Sequence, residues 1–131
     1  MIGIVVGILL TVSVQSSSIT TSLLVPMIAA GVLTLRNAFP ITLGANIGTT
    51  ITALLAAMVS GPAGLVIALV HLVFNLSATA LIYPVPAVRV LPVRIAQALA
   101  RRTATNRLWA VGYIVATFIV LPVAGMLLFK D

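Results

Sequence analysis

A chain of 131 residues that is 62% hydrophobic and only 6% charged, with a mean hydropathy of +1.31, is not a soluble domain, where charged residues make up about 25%. Its apolar stretches are too many for a signal peptide and its charge too sparse for a surface helix, so it reads as an all-α integral membrane protein. The net charge of +6 is concentrated in Arg89, Arg94, Arg101, Arg102 and Arg107; these flank apolar spans, which points to anionic lipid headgroups and away from nucleic acid.

Residues 2–14 are apolar but too few to cross about 30 Å of hydrocarbon, which takes ~20 residues. A polar run follows, Gln15-Ser16-Ser17-Ser18-Ile19-Thr20-Thr21-Ser22, and then a second apolar arm to Leu35. Two short arms around a polar tip predict a re-entrant helical hairpin over residues 1–35, with its tip covered by protein or facing a wet cavity. One long helix with a serine-rich stripe is the alternative, since Ser and Thr can bond back to a helical carbonyl. Leu35-Arg36-Asn37 reads as a short polar break at a membrane edge.

Residues 38–60 are long enough to cross but contain Gly44-Ala45-Asn46-Ile47-Gly48-Thr49-Thr50. Two glycines around an asparagine weaken a helix, which predicts a broken span with freed carbonyls and amides near the midplane. The competing reading makes Gly44 and Gly48 a small-residue packing face on an unbroken helix. The two polar runs are expected to face each other and form half of a solute site.

Ser60-Gly61-Pro62-Ala63-Gly64 is a turn. Residues 64–83 form a clean span carrying His71 and Asn75 on one face; this pair is read as bonding to itself or to a neighbouring helix. Residues 86–106 form an arginine-rich cytoplasmic linker, either a short amphipathic helix with Ile95, Leu99 and Arg102 on one face or a solvated loop. Residues 108–129 form the last span, with Trp109 and Tyr113 as interfacial anchors and Pro122 as a candidate kink. With the linker inside, the hairpin enters from the cytoplasmic side of a multi-pass cell-membrane protein.

The chain's one acidic residue is the terminal Asp131, so no carboxylate is available within the spans as a sodium ligand or proton relay. No cofactor is expected, and the chain is not read as an enzyme: a Ser–His–Asp set cannot be assembled from this inventory. Hydroxyls, amides and helix starts can bind an oxyanion without basic residues, and their oxygens suit a hard cation such as sodium. Such a site binds an anion poorly until cations arrive, which is a physical basis for coupling the two.

Gln15-Ser16-Ser17-Ser18 followed by Gly44-Ala45-Asn46-Ile47-Gly48-Thr49-Thr50 resembles the type II sodium–phosphate cotransporter family, which carries such a motif pair in each of two inverted repeats. The likeness continues through His71-Leu72-Val73-Phe74-Asn75, Tyr83-Pro84-Val85-Pro86 and Leu91-Pro92-Val93-Arg94, stretches that resemble the C-terminal repeat. The resemblance implies sodium-coupled symport of inorganic phosphate by alternating access. It implies substrate and ion binding by Gln15, Ser16, Ser17, Ser18, Thr20, Thr21, Ser22, Asn46, Thr49 and Thr50, with sodium among Gln15, Ser18, Thr21, Asn46 and Thr49.

The family has two repeats and this chain has one, without the further span that follows the last one in long relatives. A fragment of a longer gene product is expected, or a chain that pairs with a second one carrying the missing first repeat. Five clustered arginines oppose the dual topology that self-assembly into an inverted pair requires. The alternative function is a membrane regulatory or assembly subunit that senses phosphate or docks a partner without transporting.

Overall fold

The computed structural model describes residues 1–129; Lys130 and Asp131, which close the chain in the sequence, lie outside the described residues. The fold is all-α, with six helices among the described residues: α1 Ile2–Val14, α2 Ser17–Ala29, α3 Leu35–Ala57, α4 Pro62–Ile82, α5 Pro86–Thr105 and α6 Leu108–Leu128. Helices α3, α4 and α6 are long and apolar enough to cross a membrane. The chain divides into two units, Met1–Val93 and Arg94–Asp131, each described separately below.

In the first unit, α1 and α2 are each 13 residues long, about 20 Å at 1.5 Å per residue and short of a full crossing. Gln15 and Ser16 separate them, Gln15 in the left-handed region at φ 54 and Ser16 extended at φ −154. The expected hairpin over residues 1–35 is thus a helix–break–helix whose second arm ends earlier than the sequence suggests. The polar break expected at Leu35-Arg36-Asn37 lies instead at residues 30–34, and Arg36 and Asn37 occupy the first turn of α3. The cause is Gly31: at φ 72 it takes the left-handed C′ position, while the Val32 N–H donates to Met27 O and the Gly31 N–H to Ile28 O. That is a Schellman closure, which stops α2 regardless of the apolar residues that follow. Thr34 then caps α3, its Oγ1 accepting from the Asn37 N–H at 3.3 Å.

Helix α3 is the centre of the unit, with 39% of its apolar window buried against 6% for α4. It runs without interruption through Gly44–Thr50, so the predicted break in residues 38–60 is absent. Close helix contact accounts for the glycines. A Cβ on Gly44 would lie 2.0 Å from the Ile4 carbonyl oxygen, and one on Gly7 2.0 Å from that of Ile41. A Cβ on Gly48 would meet Thr11 Cβ at 2.7 Å. The register rises together along both helices, so α1 and α3 are parallel and touch backbone to backbone through small residues. The helix weakness of glycine is offset by this packing, and the ladder stays closed.

Helix α2 returns antiparallel to both: Leu24 packs with Ala38 and Ile41 in the buried cluster of this unit. Thr11 sits opposite Gly48, so the hairpin tip, one turn further on, stops about a turn and a half short of the far end of α3. Helix α4 folds back along α3, with Gly64 against Ala57 and Ser60 near one end and Asn75 against Asn46 further along.

The linker is helical: α5 starts in the first unit on Pro86, a favoured first position, and its residues from Arg94 to Thr105 belong to the second unit. Its part from Arg94 onward and the start of α6 enclose an apolar groove of about 490 Å³ whose lining includes Ile95, Leu99, Arg102, Trp109 and Tyr113. This is the helical spacing read for Ile95, Leu99 and Arg102, with the Arg102 guanidinium 5.0 Å from the Trp109 ring centroid. Helix α6 widens to a π-helical turn at Ala116–Val120, where the Leu121 N–H reaches Ala116 O. Pro122 follows at once; it lacks an N–H and crowds the preceding turn, and the wider turn relieves that conflict where a simple kink was expected.

Candidate functional site

The hairpin tip joins two helix ends of opposite polarity. The C-terminal end of α1 presents carbonyls and a partial negative charge, and the N-terminal end of α2 presents amides and a partial positive one. Among the described residues, Gln15 is the one non-glycine with positive φ, a conformation that costs an L-residue about 1–2 kcal/mol. Its side chain is exposed. Ser16 is half-buried and accepts from the Ile19 N–H at 3.3 Å, capping α2.

Inside the hairpin, Thr11 Oγ1 donates to Thr20 Oγ1 at 2.9 Å, and Thr20 Oγ1 donates to Ser16 O at 3.2 Å. Thr11 and Thr20 are 0% and 1% exposed, so this chain of hydroxyls ties the two arms together and fixes the tip. Thr21 donates to Ser17 O at 2.8 Å. Ser18 and Ser22 are exposed, one turn apart on α2.

On α3, the second polar run divides by face. Thr50 is 0% exposed and donates to Ile47 O at 2.7 Å. Thr49 donates to Ala45 O at 3.1 Å, but it is half-buried and keeps its acceptor lone pairs available. Asn46 is exposed, one turn before Thr50.

An open cleft of about 340 Å³ is lined by Ser17, Asn46, Thr49, His71 and Asn75. The start of α2, the middle of α3 and the face of α4 therefore meet there. The expected encounter of the two polar runs is made through Ser17 on one side and Asn46 and Thr49 on the other. Asn75 Nδ2 approaches Asn46 O at 3.5 Å, a long contact bridging α4 to α3. Thr20 and Thr50 do not reach the cleft; their hydroxyls are spent on internal bonds.

Asn75 reaches a neighbouring helix as expected, and both His71 and Asn75 also join the cleft, a place not assigned to them from the sequence. Their shared helical face was legible, but nothing in the sequence says which part of α3 that face meets. Thr11, the buried partner of Thr20, was also missed; the signal was a pair of hydroxyl residues, Thr11 and Ser13, in an otherwise apolar arm. No arginine or lysine lines the cleft among the described residues, so its side-chain donors are hydroxyls, amides and an imidazole.

Residues 1–124 match the family described as Na+/Pi-cotransporter. The chain belongs to that family. It is 49% identical over 124 residues to "Sodium-dependent phosphate transport protein 2A" of Ovis aries, covering 92% of this chain and 19% of that relative. To "Sodium-dependent phosphate transport protein 2B" of Homo sapiens it is 48% identical over 125 residues, covering 92% and 18%. The 2B protein of Bos taurus is 44% identical over 127 residues, covering 94% and 18%. The chain thus spans about a fifth of the length of the curated relatives it matches. No solved structure matches it.

Proposed function

We propose that this chain supplies one of two repeats of a sodium-coupled inorganic phosphate symporter, with the Ser17–Asn46–Thr49 cleft as its half of the solute site. The observation that carries the reading is the meeting of the hairpin tip with α3 and α4 in one polar cleft, in a chain whose relatives are named for sodium-dependent phosphate transport.

The chemistry follows from the ends of the helices. Phosphate is held by the N–H groups at the start of α2, the Ser17 hydroxyl and the Asn46 amide, with Gln15 and Ser18 contributing from either side of Ser17 along the tip. Sodium takes oxygens: the carbonyls at the end of α1, the Gln15 and Asn46 amide oxygens, and the Ser18, Thr21 and Thr49 hydroxyls. Fixed positive charge is lacking in the lining, so the anion binds well only after cations have entered, and that order couples the two fluxes. His71 and Asn75 complete the wall from α4, with Asn75 reaching the Asn46 backbone carbonyl. Ser16, Thr20 and Thr50 act by fixing the backbone, and Ser22 lies one turn beyond Ser18 on α2.

A second, inverted repeat closes the other half of the cleft, and alternating access follows from one repeat moving against the other about the midplane. The arginine-bearing end lies on the cytoplasmic side of the cell membrane by the positive-inside rule. The test is phosphate uptake into proteoliposomes under an inward sodium gradient, with this chain paired with an oppositely oriented repeat of the same family. Asn46 is exposed, so N46L is expected to leave assembly intact and reduce uptake by about a hundredfold, the loss of some 2.7 kcal/mol of solute interaction. Equal uptake by wild type, N46L and Q15A removes the cleft from the mechanism. Sodium-dependent phosphate binding without flux favours the regulatory-subunit reading.

A further inference from the structure

A second polar cavity lies in the first unit, away from the cleft. It has a volume of about 380 Å³, and its lining includes Arg36, Asn37, Pro40, Tyr83, Pro86 and Arg89. Arg36 precedes Asn46 by ten residues on α3, about 15 Å along the axis, so the two cavities are separate. Three helix ends converge here: the start of α3 at Leu35, the end of α4 at Ile82 and the start of α5 at Pro86.

The electrostatic sign of the cavity is decided by inventory. Each helix start contributes roughly half a positive charge and the end of α4 roughly half a negative one. Two guanidinium groups add two full positive charges. The whole chain has one acidic residue, the terminal Asp131, against seven basic ones. Among the described residues, no acidic side chain is in the lining beside Arg36 and Arg89. The Arg89 guanidinium stacks 5.2 Å from the Tyr83 ring centroid, which orients its plane and leaves its donor edges for a planar or tetrahedral oxyanion. Arg36 is exposed and Arg89 half-buried, so one arm faces solvent and the other is held against Tyr83.

We infer that this cavity is a binding site for a phosphate-bearing anion, with Arg36 and Arg89 as a two-armed clamp and Asn37 as an auxiliary donor. Helix α3 is about 35 Å long against a hydrocarbon core of about 30 Å, which puts its first turn at headgroup depth. A phosphate monoester on an anionic lipid and free inorganic phosphate present the same chemistry there, and the bidentate geometry of arginine suits both. The site does not depend on the transport reading, because it shares no residue with the cleft.

Native mass spectrometry of the chain in neutral detergent tests this, with phosphatidic acid and inorganic phosphate as separate probes and phosphatidylcholine as the neutral control. Wild type is expected to retain one phosphatidic acid in preference to phosphatidylcholine. R36Q/R89Q is expected to lower that complex by about tenfold, a difference of 1.4 kcal/mol. R101Q/R107Q, the same change in net charge outside the cavity, is expected to leave it unchanged. R36K/R89K, which keeps charge but loses the forked geometry, is expected to fall between wild type and R36Q/R89Q, and the wild-type complex is expected to weaken with added sodium chloride. Retention of inorganic phosphate by N46L, with loss in R36Q/R89Q, assigns free phosphate as the occupant of the same site. The proposal is overturned if wild type retains neither probe, if R36Q/R89Q binds like wild type, or if R101Q/R107Q loses as much. Should R36Q/R89Q fail to fold, indifference of the wild-type complex both to salt and to R36K/R89K overturns it.

Discussion

Two stretches of this chain have similar composition and opposite outcomes. Residues 15–22 and residues 44–50 are both short polar runs inside apolar sequence, yet the first breaks the helix at Gln15-Ser16 while the second continues α3 unbroken. The first has no glycine and the second has two. What separates them is the neighbour. Gly44 and Gly48 lie against the backbone and side chains of α1, so close packing pins that segment as helix. The tip of the hairpin has no such partner along its axis, and its polar groups instead cap one helix end and begin the next. Helix continuity in this fold is decided by what packs against the segment more than by its propensity.

Substitutions sharpen the contrast. The largest effect is expected for G44L, because its Cβ would fall on the Ile4 carbonyl where neither backbone can yield. A loss of about 3 kcal/mol or more is predicted, read as a collapse of thermal stability in detergent. G112L, at a glycine with nothing within 4 Å, is expected to be tolerated. A stable G44L protein would show that α1 does not hold α3 together.

Next comes the hydroxyl chain at the base of the tip. T20V leaves the buried Thr11 hydroxyl without its acceptor and is expected to cost about 1–3 kcal/mol, whereas T11V/T20V, which removes both partners, is expected to recover much of that loss. Equal destabilisation by the single and double variants would mean that the pair is not coupled. The smallest effect is a gain. Q15G relieves the left-handed strain at φ 54 and is expected to raise stability by up to about 1 kcal/mol, while uptake by the paired repeats falls with the loss of the Gln15 amide. A rise in stability with full uptake would take Gln15 out of the solute site.

Much of the architecture was legible because it rests on local chemistry. The short arm lengths gave the hairpin, the Gly61-Pro62 turn gave the start of α4, and the spacing of Ile95, Leu99 and Arg102 gave one face of α5. The misreadings share a cause: each depended on a contact remote in sequence or on a backbone cap. Gly44 and Gly48 carry the same helix penalty whether or not α1 lies beside them. The end of α2 was set by the left-handed Gly31, against an apolar pattern that continues to Leu35. Within the cleft, Ser17, Asn46 and Thr49 were visible as polar groups at membrane depth. The burial of Thr20 and Thr50, and the arrival of His71 and Asn75 from α4, follow from how the helices dock.

Thiol accessibility tests the central claim most directly, because the chain has no cysteine of its own. In S17C and N46C, placed one at a time in the paired repeats, a water-soluble thiol reagent is predicted to react at both positions. Sodium and phosphate together should slow both reactions by the same factor, and phosphate without sodium should slow neither. Protection of one position but not the other, or protection by phosphate alone, would contradict a shared cleft that fills with its anion only when sodium accompanies it.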